Sequence, residues 1–119
     1  MLDNNCIFCK IIEGEIPSQK YYEDNNFLVI YDINPISEGH LVIFSKNHYK
    51  NISEMPEDEF KRICLKAREL AEKQMKEIKS DGYHLLINQG EAAQSGVPHR
   101  PHIHIIPRRF GDGIKIDPR

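Results

Sequence analysis

Apolar residues along this chain come in short blocks separated by polar turns, and the period of each block predicts an element. Ile7, Phe8, Ile11 and Ile12, within residues 6–13, suit a short helix that Gly14 and Pro17 bring to an end. Residues 21–23 form a short strand candidate. Residues 27–31 (FLVIY) and 40–45 (HLVIFS) are stronger ones, dense in β-branched and aromatic side chains and separated by a turn over 32–39 with Pro35 and Gly39. A long helix follows. Pro56 suits its first position, and Glu57, Asp58 and Glu59 complement the positive end of its dipole. Phe60, Ile63, Cys64, Ala67, Leu70, Ala71, Met75 and Ile78 then recur at helical spacing, and Asp81-Gly82 is expected to stop it. Residues 83–88 (YHLLIN) and 102–106 (HIHII) are two further strands, with a loop of small and polar residues over 89–101.

This order, three strands, a helix and two strands, predicts an α+β domain. Its sheet is expected to be a five-stranded antiparallel meander covered by one long helix, with the short N-terminal helix beside it. The 119 residues suffice for one domain, taken as residues 1–119. An open sheet has two free edges, and pairing one with a second copy is a common way to cover it, so a homodimer is expected.

Composition narrows the functional classes. A net charge of -2 leaves no basic footprint for a nucleic-acid polymer, although a single nucleotide needs only a local phosphate cradle. No apolar run approaches the ~20 residues of a membrane span, and the polar N-terminus lacks a signal-peptide pattern. Three cysteines, Cys6, Cys9 and Cys64, are an odd count with one CxxC pair, which reads as metal or redox chemistry and not as a disulfide framework. A cytoplasmic protein with no membrane partner is the expectation.

The candidate chemistry lies near the C-terminus, in VPHRPHIHIIPR. His102 and His104 are two apart on a strand, so both rings leave the same face while Ile103 and Ile105 point to the other. Taken alone, such a pair is equally well explained as solvated surface histidines. The preceding loop adds to it: Asn88-Gln89-Gly90 closes one strand and Gln94-Ser95-Gly96 lies just before the histidines. Small residues there let backbone N–H groups approach an anion, and Gln and Ser add donors. Neutral histidine, with an ordinary pKa of about 6.5, is a competent nucleophile toward a phosphorus held beside it.

The run NQGEAAQSGVPHRPHIHIIPR resembles the signature of the histidine triad (HIT) family, in which three histidines alternate with apolar residues and often lead into Pro-Arg. CIFCKIIEGEIPS near the start, YDINPISEGHLVI in the middle and INQGEAA before the histidines resemble the bacterial and archaeal Hint branch, so the likeness covers almost the whole chain. It implies a HIT-like α+β fold that dimerises into a continuous sheet. It implies His102 as the nucleophile, forming a nucleotidyl-histidine intermediate, and His104 as a phosphate contact. Gln94, Ser95 and Gly96 match the phosphate loop, with Ser95 near the leaving group. Asp32 would bind the ribose hydroxyls, Asn88 sugar or phosphate, and Ile7, Phe8, Ile11, Ile30 and Ile33 a purine base. The spacing departs from the family at one point: H-x-x-H-x-H stands here, with Arg100-Pro101 where one residue is usual, and the Gly expected before Gln94 is missing.

Cys6 and Cys9, with His48 and His99, make a Cys2His2 set of the kind that holds structural zinc. Small buried cysteines pack well without any metal, so the pair alone leaves both readings open. Some bacterial members of the family carry zinc through these four positions, and the resemblance therefore implies structural Zn2+ here. Cys64 is expected in the core, and His40 either beside the active site or simply packed.

The function implied is hydrolysis of purine nucleoside phosphoramidates, AMP or GMP linked to an amine. The alternatives are a dinucleoside polyphosphate hydrolase, and a nucleotide-binding or scaffolding protein kept from turnover by the residue inserted between His99 and His102.

Overall fold

The computed structural model describes residues 2–3, 5–93 and 97–116. A six-residue helix α1 (Ile7–Ile12) precedes strands β1 (Lys20–Glu23), β2 (Phe27–Tyr31) and β3 (Leu41–Ser45). Helix α2 (Glu57–Ile78) leads into β4 (Gly82–Ile87), and β5 (His102–Arg108) comes last. All strand pairs are antiparallel.

The α+β class stands as expected, but the strand order is β1-β2-β3-β5-β4 and not the sequential meander. α2 carries the chain past the neighbour position of β3, so that β4 takes the outer edge and β5 returns between them. Burial explains the exchange. Residues 102–107 of β5 are buried almost without interruption, which suits an interior strand, whereas β4 is half-exposed along its length. A half-exposed strand belongs at an edge.

The sheet is covered on both faces, which is why residues 27–30 (FLVI) and 41–44 (LVIF) are apolar without alternation. On one face Val29, Leu41, Ile43, Ile103 and Ile105 pack against Ile63, Ala67, Leu70 and Ala71 of α2. On the other, Leu28, Ile30, Val42 and Phe44 pack against Cys6, Phe8, Cys9 and Ile11 at α1. The β3–β5 register pairs Val42 with His104 and Phe44 with His102, and so delivers both imidazoles to the α1 face. Ile103 and Ile105 point into the α2 core, as the two-residue period required.

α2 differs from its predicted outline in two ways. Its buried face includes Glu59 and Gln74, polar residues that a hydrophobic pattern passes over. Glu59 accepts hydrogen bonds from Ser45 Oγ at 2.6 Å and Tyr49 OH at 2.7 Å, and Gln74 Nε2 donates to the Gly39 carbonyl at 3.1 Å. Burial is tolerable because each finds a partner. The helix also ends at Lys79, left-handed at φ 57°, and not at Asp81-Gly82. The Ser80 N–H closes the last turn on the Met75 carbonyl, and Gly82 already belongs to β4. No helix among the described residues is long and apolar enough to cross a membrane.

Candidate active site and metal centre

On the α1 face of the sheet lies a cavity of about 280 Å³. Ile7, Phe8 and Ile11 of α1, Ile30 of β2, Val42 of β3, and Ile33 and Val97 from loops form its apolar walls, and Asp32, Asn34, His102 and His104 supply the polar groups. An apolar slot with a few converging polar groups is the usual character of a small-molecule site. The expected residues Ile7, Phe8, Ile11, Ile30, Asp32, Ile33, His102 and His104 are thus brought together. Asn88, just beyond β4, is not among the lining residues. Gln94, Ser95 and Gly96 lie outside the described residues.

Hydrogen-bond polarity fixes the state of each ring. His102 Nδ1 lies 3.0 Å from the His99 carbonyl oxygen. A carbonyl only accepts, so the neutral ring carries its proton on Nδ1 and keeps the lone pair on Nε2. Burial among Phe8 and the sheet pushes the His102 pKa below its ordinary value, with the His99 carbonyl opposing the shift. The ring is therefore neutral, and its Nε2 nucleophilic, at neutral pH.

A second chain of bonds fixes His104. The Ile36 N–H donates to His40 Nδ1 at 3.0 Å, so the His40 proton sits on Nε2. From there it is donated to His104 Nδ1 at 2.9 Å, which leaves the His104 proton on its own Nε2. His104 therefore has a donor to offer, where His102 has a lone pair. Burial, reinforced by His102 and His40, takes the His104 pKa down to about 4 against the opposing pull of Asp32. Burial likewise lowers the His40 pKa. Asp32 Oδ2 is 3.5 Å from His40 Nε2 and 3.6 Å from His104 Nδ1; with both rings neutral these are polar contacts and not ion pairs. Asn34, Val42, Val97 and His40 are the site residues that the sequence reading left out or undecided. Val42 sits in a strand buried at every position, so nothing in the pattern marked it as a cavity residue.

Behind this cavity a second cluster forms. His99 Nδ1 lies 3.3 Å from Cys6 Sγ, 3.5 Å from Cys9 Sγ and 3.2 Å from His48 Nδ1, and Cys9 Sγ lies 3.3 Å from His48 Nδ1. Ligands of a tetrahedral zinc, at bond lengths of roughly 2.0–2.3 Å, stand at separations of this size. The proton inventory supports a cation at the centre. His99 Nε2 donates to the Ser45 carbonyl at 2.7 Å, so Nδ1 presents a lone pair to the cluster. Burial takes the His99 pKa down to about 4 and pushes the Cys9 thiol up to about 11. His48 presents Nδ1 to the cluster, and its Nε2 lies 3.8 Å from Asp3 Oδ2. Two thiols and two imidazoles thus converge from three separate stretches of chain at the spacing of a tetrahedral donor set, so the four residues fit a metal.

Asp32, His40 and His104 also place their donor atoms within 4.8 Å of one another. There the polarity argues the other way. Ile36 N–H occupies the His40 Nδ1 lone pair, and the His40 Nε2 proton fills the space an ion would need. The Ile36 N–H, His40 and His104 form a hydrogen-bonded relay, with the Asp32 carboxylate beside it.

An α+β domain whose paired histidines face a nucleotide-sized slot defines the class, and comparison with known proteins names it. The HIT domain profile matches residues 13–111, and the chain belongs to that family. The chain is 44% identical over 108 residues to an uncharacterized HIT-like protein of Methanocaldococcus jannaschii, covering 91% of this chain and 82% of the other. It is 42% identical over 108 residues to an adenosine 5′-monophosphoramidase of Saccharomyces cerevisiae, covering 91% of this chain but 65% of that longer protein. A zinc-bound histidine triad family protein from Mycobacterium smegmatis superposes with a TM-score of 0.88 at 34% identity, covering 97% of this chain and 84% of that one.

Proposed function

We propose that this protein hydrolyses purine nucleoside phosphoramidates, releasing AMP or GMP from an amine. The observation that carries this reading is the His102 hydrogen bond to the His99 carbonyl, which leaves a bare Nε2 lone pair on a ring that lines the cavity. The similarity to the yeast monophosphoramidase supports the substrate class.

In the reaction as we read it, the base occupies the slot of Ile7, Phe8, Ile11, Ile30 and Ile33, and the Asp32 carboxylate accepts from the ribose hydroxyls. His102 Nε2 forms a bond to phosphorus while the phosphorus–nitrogen bond breaks, and the amine leaves with the electron pair of that bond and takes a proton from solvent. Water then attacks the nucleotidyl-histidine, its hydroxyl staying on phosphorus and its other proton passing to solvent, as the bond to Nε2 breaks and the ring regains its lone pair. His104 Nε2–H donates to a phosphoryl oxygen as charge grows there. Such positioning and charge stabilisation is the main resource of phosphoryl transfer. We assign zinc to Cys6, Cys9, His48 and His99, where it would hold structure with no open position for substrate. The zinc-bound mycobacterial relative supports that choice of ion. β4, an open edge with Leu85 42% exposed, is where we place a second copy extending the sheet.

The test is turnover of an adenosine phosphoramidate against diadenosine polyphosphate by wild type and His102→Ala. Phosphoramidate turnover that falls at least ~10³-fold in the variant supports the proposal. Faster cleavage of the polyphosphate, or AMP binding without turnover of either substrate, would replace it.

A further inference from the structure

We propose that the metal centre and the nucleotide slot are one linked unit, in which the metal seats α1 and α1 in turn grips the base. The proposal rests on the nucleotide reading above. α1 has six residues, far below the length at which a helix holds itself in water, and it lacks a side-chain cap at Cys6. Its neighbours therefore keep it in place. Cys6 and Cys9 turn toward His48 and His99, while Ile7, Phe8 and Ile11 of the same turn and a half line the cavity. Phe8 joins the two sides. Its ring stacks on Phe44 at 4.3 Å and meets the rings of His99 and His102 edge-on, at 5.7 and 5.2 Å. A metal tying both thiols to His48 and His99 fixes the helix that carries three of the seven apolar wall residues.

Without the metal, α1 keeps only its packing, and the slot must be ordered by the ligand. Nucleotide affinity then falls, and coupling is reciprocal, so bound nucleotide tightens the metal by the same factor. We expect a factor of about ten, within the usual range of such coupling.

The experiment measures AMP affinity by calorimetry for zinc-loaded and chelator-treated protein, zinc affinity by chelator competition with and without AMP, and hydrogen exchange in both forms. The expected result is a matching change of about tenfold in both affinities. The Lys10 and Glu13 amides, bonded to the Cys6 and Cys9 carbonyls, should lose protection on zinc removal while β2, β3 and β5 keep theirs. Equal AMP affinity in the two forms overturns the proposal, and so does protection of α1 that survives zinc removal. Loss of protection throughout the sheet overturns it too, since the metal would then be a staple for the whole fold. AMP that fails to bind the zinc-loaded protein defeats the nucleotide reading itself, an outcome the calorimetry separates from the others. In Phe8→Ala, with zinc retained, the AMP-dependent change in zinc affinity should shrink toward none.

Discussion

The His99 carbonyl oxygen holds His102 Nδ1 at 3.0 Å, while the His99 ring faces the thiols of Cys6 and Cys9. One residue thus faces two candidate sites, the ring toward the Cys2His2 cluster and the backbone toward His102 in the cavity. Arg100 and Pro101, the extra length between the histidines, lie between His99 and the start of β5 and leave this contact intact. The insertion does not displace His102 from the cavity.

His40 acts on His104 and not on substrate, so its removal tests the relay. In His40→Phe the Ile36 N–H loses its acceptor and His104 Nδ1 loses its donor, so the His104 proton is free to move to the wrong nitrogen. Turnover should fall about 10–100-fold, the usual effect of losing the partner that orients a functional histidine. KM should change little, because His40 is not among the cavity-lining residues. Steady-state kinetics separates the two. A fall confined to KM would show that His40 shapes the pocket instead.

The acid side of the pH profile follows from burial. His104, with its pKa taken down to about 4, stays neutral well below pH 6.5, and the His102 pKa is lowered from 6.5 by burial as well. kcat/KM should therefore hold as pH falls through 6.5 and decline only at lower pH; an acid limb centred at or above 6.5 would contradict it. Stability follows the same sign. Between the unfolded value of about 6.5 and the folded value, the unfolded chain binds more protons. Buried His104 therefore costs stability as pH drops from 6.5 toward about 4, and no further cost accrues below that. Urea midpoints at pH 7 and pH 5 check the direction.

Much of this was legible in the sequence, for reasons that particular residues make plain. The period-two placement of His102 and His104 against Ile103 and Ile105 fixed which rings share a face, because strand geometry is local. The position of β5 between β3 and β4 was not legible, since it depends on which strand needs burial on both sides. Glu59 and Gln74 on the buried face of α2 were invisible because their partners, Ser45, Tyr49 and the Gly39 carbonyl, are distant in the chain. His40 was undecided for the same reason: its partner His104 is 64 residues away, and the Ile36 N–H that sets its tautomer is a backbone group.

The proposed metal centre predicts a stability effect as well. Cys9→Ser replaces a proposed ligand that approaches both His48 and His99 and should abolish stoichiometric zinc. Thermal unfolding should drop by at least ~5 °C, on the scale that about 1 kcal/mol moves a domain of this size. Metal analysis with calorimetry on wild type and variant checks both. An unchanged melting point in a zinc-free variant would mean that packing alone seats these residues.

Gly39 and Gly14 form a matched pair of tests, since both have φ +81°. A Cβ at Gly14 meets nothing within 4 Å, so Gly14→Ala carries only the left-handed backbone cost, about 1 kcal/mol. At Gly39 the same Cβ would lie 2.7 Å from Gln74 Nε2 and 2.8 Å from Ile78 Cδ1. Gln74 has little freedom to retreat, because it is buried and already bonded to the Gly39 carbonyl. Gly39→Ala should therefore cost about 2–4 kcal/mol in urea unfolding, well beyond Gly14→Ala. Gly39 also immediately precedes His40, so any backbone shift is passed to the ring that orients His104. Turnover should fall in Gly39→Ala under conditions where the protein remains folded, and stay near wild type in Gly14→Ala. Equal losses of stability in the two variants would mean that α2 yields to the new methyl group, and that the close approach of Gly39 to Gln74 sets neither the turn nor the position of His40.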